Sequence, residues 1–207
     1  MTDADRRVWV LEGERADAAR NREAILNAAI KLYDTADDPA AVTMNDVAAA
    51  AGVGNGTLFR RFADRAGLLR AVYATRTQAL ADAITSGPPP LGPATPARRR
   101  ITAILDAIVA VKLQNRSLTL ALERADQASG GASLFTAPYY EAVHALLAEL
   151  LLEIVGAERS AWTAHALLSA TRVDLIDHLL SVEGWTGQHI RRQLADYVDR
   201  LLGPEPT

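Results

Sequence analysis

Residues 52–62 read Gly-Val-Gly-Asn-Gly-Thr-Leu-Phe-Arg-Arg-Phe, GVGNGTLFRRF. Three glycines stand in the first five positions, and two arginines follow between Phe59 and Phe62. A glycine inside a helix costs about 1 kcal/mol relative to alanine, yet helical spacing starts at once through Leu58, Phe59 and Phe62. A short helix opened by glycines and then loaded with positive charge suits a backbone that must come close to an anion. Helix N-termini present unpaired N–H groups and a partial positive charge, which favours phosphate. Gly54 and Gly56 remove the side chains that would hold a phosphate away.

The flanks complete the pattern. Ile25, Ala28, Ala29, Leu32 and Tyr33 recur at helical spacing, which predicts an amphipathic helix over 21–34, with Pro39 breaking the loop behind it. Thr43 stands at an N-cap position with Asp46 three residues on, a capping-box pair. Met44, Val47, Ala48 and Ala51 then share a face until Gly52, placed as a C′ residue. A helix over 44–51, a tight turn and a helix over 55–62 make a helix-turn-helix. Leu58 and Phe62, four apart, form its buried face. Asn55 and Thr57 offer short polar groups for base edges or phosphate oxygens. Arg60 and Arg61 either meet phosphate or form a solvated face, and Phe59 either packs inward or meets the ligand. Asp64 caps a further helix through Leu68, Leu69, Val72 and Tyr73 towards Ile84.

The stripe ending AIKLY, then TMNDVAAAAGV, GTLFRRF and Asp64 with the following Leu-Leu, resembles the DNA-binding domain of the TetR family of transcriptional regulators. The resemblance spans residues 21–76. It implies a helix-turn-helix reading one operator half-site per subunit, and a C-terminal helical bundle that dimerises and binds a small effector. It places Asn55, Gly56, Thr57, Phe59, Arg60 and Arg61 against DNA, with Thr43 and Arg65 as flanking phosphate contacts. It also implies a repressor, while the charged first residues and the short apolar runs predict a cytoplasmic protein. The chain departs from the family pattern at Gly54, where serine is common, at Phe59, where tyrosine is usual, and at Gly67, near which an acid is favoured.

Beyond this segment, SGPPPLGPATP over 86–96 holds five prolines and reads as a surface linker. Helical period returns through Ile101, Ile104, Leu105, Ile108 and Val111, and then Leu118 to Leu122. The glycine-rich SGGAS precedes a helix over about 139–155, and two more follow over about 159–182 and 187–202. The expected organisation is an N-terminal arm over 1–18, a helix-turn-helix domain over 19–84 with its motif at 43–62, the linker over 85–97, and a bundle over 98–203. The fold class is all-α, a three-helix DNA-binding domain plus a larger bundle that forms the dimer. Leu168, Leu175 and Leu179 line one terminal helix and Ile190, Leu194, Tyr197, Val198 and Leu201 the other, which predicts a four-helix dimer face. Asn115, Tyr139, Tyr140, His144 and Trp162 are the polar and aromatic candidates for an effector pocket. The Val8-Trp9-Val10-Leu11 cluster has no assigned role.

Composition narrows the classes. The net charge of −3 and pI near 5.8 argue against a protein coated in nucleic acid along its length. Residues 55–76 nonetheless carry five arginines against the single acid Asp64, a basic patch on an acidic body. The absence of cysteine excludes disulfide scaffolds and thiolate metal sites. No apolar run is long enough to span a bilayer, so no membrane partner is expected. Glu141 and His144 have the Glu-x-x-His spacing of di-iron bundles, but those sites need a second such pair and further glutamates. No cofactor or metal motif is complete, which leaves a metal-dependent four-helix-bundle enzyme as the remote alternative. A DNA-binding dimer with no small-molecule input is the nearer one.

Overall fold

A computed structural model describes residues 3–36, 38–128 and 137–203. Side chains of residues 3–18, 40 and 126–128 lie outside that description, and so do the Val8–Leu11 cluster and the SGGAS segment. Among the described residues every regular element is helical: α1 (Asp3–Thr35), α2 (Met44–Ala51), α3 (Asn55–Phe62), α4 (Arg65–Ser86), α5 (Ala97–Gln114), α6 (Arg116–Ala128), α7 (Pro138–Val155), α8 (Ala157–Ser169), α9 (Val173–Ser181) and α10 (Gly187–Leu202), with a 3-10 turn at Pro39–Ala41. None of them is long and apolar enough to cross a membrane. The chain separates into two compact units, Met1–Thr75 and Arg76–Thr207. The boundary falls inside α4, whereas the proline segment had marked the seam in the sequence.

The first unit packs α1 on α2 and α2 on α3. Its core takes the expected side chains, with Ile25, Ala29, Val47, Leu58, Leu68, Leu69 and Val72 all fully or almost fully buried. Burying each such leucine contributes about 2 kcal/mol, which anchors a helix as short as α3. The capping box is formed: Thr43 Oγ1 accepts from the Asp46 N–H at 3.2 Å, and the Thr43 N–H donates to Asp46 Oδ2 at 2.9 Å. Gly52 ends α2 in the left-handed region at φ 66, its N–H reaching the Ala48 and Ala49 carbonyls. The first helix is longer than its apolar stripe, because α1 is helical from Asp3.

In the second unit α5 is central, packing on α7 and α10, while α7 packs on α8 and α6 on α9. Ile101, Ile104, Leu105 and Val109 of α5 are fully buried. The proline segment is docked here and does not hang free. Buried Arg100 donates to the Leu91 carbonyl at 2.9 Å and to the Ile84 carbonyl at 2.7 Å, and Leu91 packs on the core. The single helix expected over 159–182 is two helices. The Thr171 hydroxyl turns back to the Leu168 carbonyl at 2.8 Å, and the Thr171 carbonyl leaves the helical ladder to receive the Lys112 ammonium at 2.7 Å.

The terminal stripe also needs correction as a dimer face. Leu168, Ile190, Leu194 and Val198 lie in the core of the second unit itself, and Leu179 packs against that core. Periodicity marked a buried face, and α5 is what buries the α10 part of it. Leu175, Tyr197 and Leu201 point outward, at 41%, 43% and 39% exposure.

Candidate nucleic-acid interface

Helix α3 is positioned from three sides. Leu58 and Phe62 sink into the core, Gly52 turns the chain out of α2, and a tight corner leads into α4. At that corner Ala63 has φ 61 and ψ −57, and the Asp64 N–H reaches back to the Phe62 carbonyl at 2.7 Å. This is a γ-turn of the rarer, strained hand, costing about 1–3 kcal/mol in a residue with a side chain. The Asp64 carboxylate then caps α4 by accepting from the Gly67 N–H at 2.7 Å. The turn also explains why Gly67 lacks a side chain: a β-carbon there would sit 2.0 Å from the Phe62 carbonyl oxygen.

The remaining face of α3 is open. Asn55, Gly56, Phe59 and Arg60 are exposed, and Thr57 and Arg61 half-buried. A β-carbon on Gly54 or Gly56 would meet nothing within 4 Å, so packing inside this unit does not require either glycine. Gly54 occupies the N-cap with extended backbone and offers no side-chain cap; the first N–H groups of α3 are left for an outside acceptor. Arg61 Nε is buried without a hydrogen-bond partner, an orphaned donor at the edge of the same face. Phe59, at 46% exposure, joins it rather than the core.

Two residues expected at phosphate contacts have partners within the fold. The Thr43 hydroxyl donates to Asp46 Oδ2 at 2.7 Å, and these Thr43 bonds hold the Asp46 carboxyl below its usual range. Arg65 turns inward: Nε donates to the Val42 carbonyl at 3.1 Å and Nη2 to the Pro39 carbonyl at 3.0 Å. It also hydrogen-bonds Tyr33, whose hydroxyl burial pushes up while Arg65 partly offsets the rise. The cation was legible in the sequence, but its three partners, from Tyr33 to Val42, were not.

Residues 25–72 match the family model described as bacterial regulatory proteins, tetR family. The match lies within the first unit, over the helix-turn-helix and the helices on either side of it. Among solved structures, a TetR transcriptional regulator from Rhodococcus sp. RHA1 is similar at 22% identity and TM-score 0.58, covering 91% of this chain and 97% of that one. A TetR-like transcriptional regulator from the same source is similar at 20% identity and TM-score 0.58, over 88% and 95%. NalD, the secondary repressor of the MexAB-OprM multidrug efflux pump in Pseudomonas aeruginosa, is similar at 18% identity and TM-score 0.52, over 89% and 96%. These likenesses extend the TetR-type fold over both units. No curated protein matches the chain.

The five effector candidates do not share one place. Asn115 closes the C-terminus of α5, donating to the Val111 carbonyl at 2.9 Å and accepting from Arg76 at 2.7 Å. Trp162 is 76% exposed and lines no interior wall; Tyr139 is 46% exposed. Tyr140 and His144 do meet, through His165, which carries no motif of its own in the sequence. The Tyr140 hydroxyl lies 2.7 Å from His165 Nδ1, and the two imidazoles stack at 3.8 Å. Desolvation and then the nearby His144 push His165 down. Glu141 is exposed and His144 Nε2 bonds the Ala161 carbonyl. An open cleft of about 540 Å³ lies elsewhere, lined by Arg98, Arg99, Thr102, Asp106 and Asp199 among others.

Proposed function

We propose that the chain is a dimeric transcriptional repressor that binds an inverted-repeat operator and is released by a small-molecule effector. The observation that carries the reading is α3: a buried Leu58 and Phe62 on one side, and on the other an open, glycine-led face with Asn55, Phe59 and Arg60. Arg60 and Arg61 supply the salt-sensitive phosphate contacts, while Asn55 and Thr57 reach base edges from the first turn. Thr43 and Arg65 act behind them by holding α2 and α4.

Two α3 helices related by a dyad read the same half-site in opposite directions, so the operator is an inverted repeat. The outward Leu175, Tyr197 and Leu201 supply the dimer face. The effector site belongs to the second unit, and the protein works in the cytoplasm with the DNA it binds. Selection of bound sequences from random duplex DNA tests the reading. An inverted repeat supports it; a single asymmetric site opposes it.

A further inference from the structure

Arg22 stands on α1, one turn before the buried Ile25, and is itself exposed. Its guanidinium carbon lies 5.8 Å from the centre of the Phe62 ring. Phe62 is the last residue of α3 and only 6% exposed, so the arginine lies over a ring that the core otherwise encloses. A guanidinium placed over an aromatic face keeps its N–H donors in its own plane, free of the ring. Among the described residues none of those donors is used, since Arg22 makes no hydrogen bond and no ion pair.

The acids close to it in the fold or the sequence are occupied or turned away. Glu23 is the next residue on α1, and helix neighbours i and i+1 do not face each other. Asp64, two residues past Phe62, caps α4 by accepting from the Gly67 N–H at 2.7 Å and faces Arg70 at 4.0 Å. The ring therefore holds a cation without a counterion at the C-terminal end of α3. Arg60 and Arg61 belong to that same last turn, and Arg60 is exposed with no carboxylate partner among the described residues. Cations gathered at one end of a short helix repel one another, and an anion from outside relieves the repulsion. Planar donors held in advance match a phosphate, because less side-chain freedom is lost when the bond forms.

We infer that Arg22 is a DNA phosphate contact held in place by Phe62, so that the nucleic-acid interface runs from α3 onto α1. This rests on the DNA-binding reading above and adds to it a residue outside the helix-turn-helix. A contact of this kind fixes the protein on the duplex and carries no base preference.

The test uses the full-length protein, an inverted-repeat duplex selected from random DNA, and a scrambled duplex of the same length. Binding is measured by fluorescence anisotropy at four salt concentrations for the wild type, Arg22→Ala, Arg22→Lys and Arg60→Ala, each beside a thermal melt. Arg22→Ala is expected to lower the salt slope by about one per subunit and to weaken binding of both duplexes by the same factor. Its melting temperature should stay within a few degrees of the wild type, and Arg22→Lys should keep the slope. An unchanged slope in Arg22→Ala overturns the inference even if affinity falls, because lost packing alone releases no fewer counterions. An equal loss of slope in Arg22→Lys overturns it too, since the charge is still there. Should Arg22→Ala not fold, Arg22→Gln, which keeps most of the stem, decides in its place. A slope lowered by Arg60→Ala and not by Arg22→Ala leaves the α3 reading standing without this contact. Wild-type protein that binds neither duplex overturns both.

Discussion

The Arg65 guanidinium and the Val42 carbonyl are joined by a 3.1 Å hydrogen bond that ties the first turn of α4 to the residue before the N-cap of α2. With the bond to Pro39 it fixes the loop from which the helix-turn-helix starts. A residue with this role fails differently from a phosphate contact. Arg65→Ala should lower stability by about 1–3 kcal/mol, the range for hydrogen bonds from a charged donor, and weaken DNA binding without changing its salt slope. Arg60→Ala should leave stability unchanged and reduce the slope by about one. Denaturant titration with binding isotherms at four salt concentrations separates the two. A reduced slope in Arg65→Ala would return that residue to the DNA face.

The α3–α4 corner stores strain that a single substitution removes. Ala63 sits at φ 61, so Ala63→Gly should stabilise the fold by about 1 kcal/mol. Gly67→Ala should destabilise it severely, because its new methyl would meet the Phe62 carbonyl. Both are read from chemical denaturation midpoints.

Lys112 makes stability depend on alkaline pH with a definite sign. Its folded value of about 8 lies below the ordinary 10.5, so the native state disfavours the charged form. The penalty is full below pH 8 and fades as the pH rises towards 10.5; it corresponds to about 3 kcal/mol. Lys112→Met should therefore be the more stable protein at pH 7, and the difference should shrink by pH 10. A difference independent of pH would place Lys112 in solvent.

The outward and inward residues of the last helices separate association from folding. Tyr197→Glu or Leu201→Glu should yield a folded monomer by sedimentation at micromolar concentration. Val198→Asp, at a position with no exposure, should not fold. Retained dimers in both outward variants would move the interface to another face.

What the sequence carried was local. Thr43 with Asp46, Gly52 and Asp64 announce their caps because donor and acceptor lie within a few residues. The stripes of α1 and α5 announce a buried face because burial repeats with the helix. A stripe does not say what covers it, so Leu168, Ile190, Leu194 and Val198 read equally as a dimer seam or as the core they form. Partners distant in sequence left no signal: Lys112 to Thr171 spans 59 residues, and that pair marks the break between α8 and α9. Arg65 and Phe59 show the same limit within the site. Charge and aromaticity were visible, but direction was set by tertiary neighbours.

The central claim is that the glycine-led face of α3 meets DNA, and Gly56→Glu tests it most directly. A side chain at this position has open space within the unit, so the fold should hold, while bulk and negative charge stand where phosphate approaches. Fluorescence anisotropy of a selected inverted-repeat duplex, at one salt concentration and beside a thermal melt, should show an unchanged melting temperature and loss of binding by about a hundredfold or more. Unchanged affinity in a folded Gly56→Glu would contradict the account and place the DNA contact elsewhere.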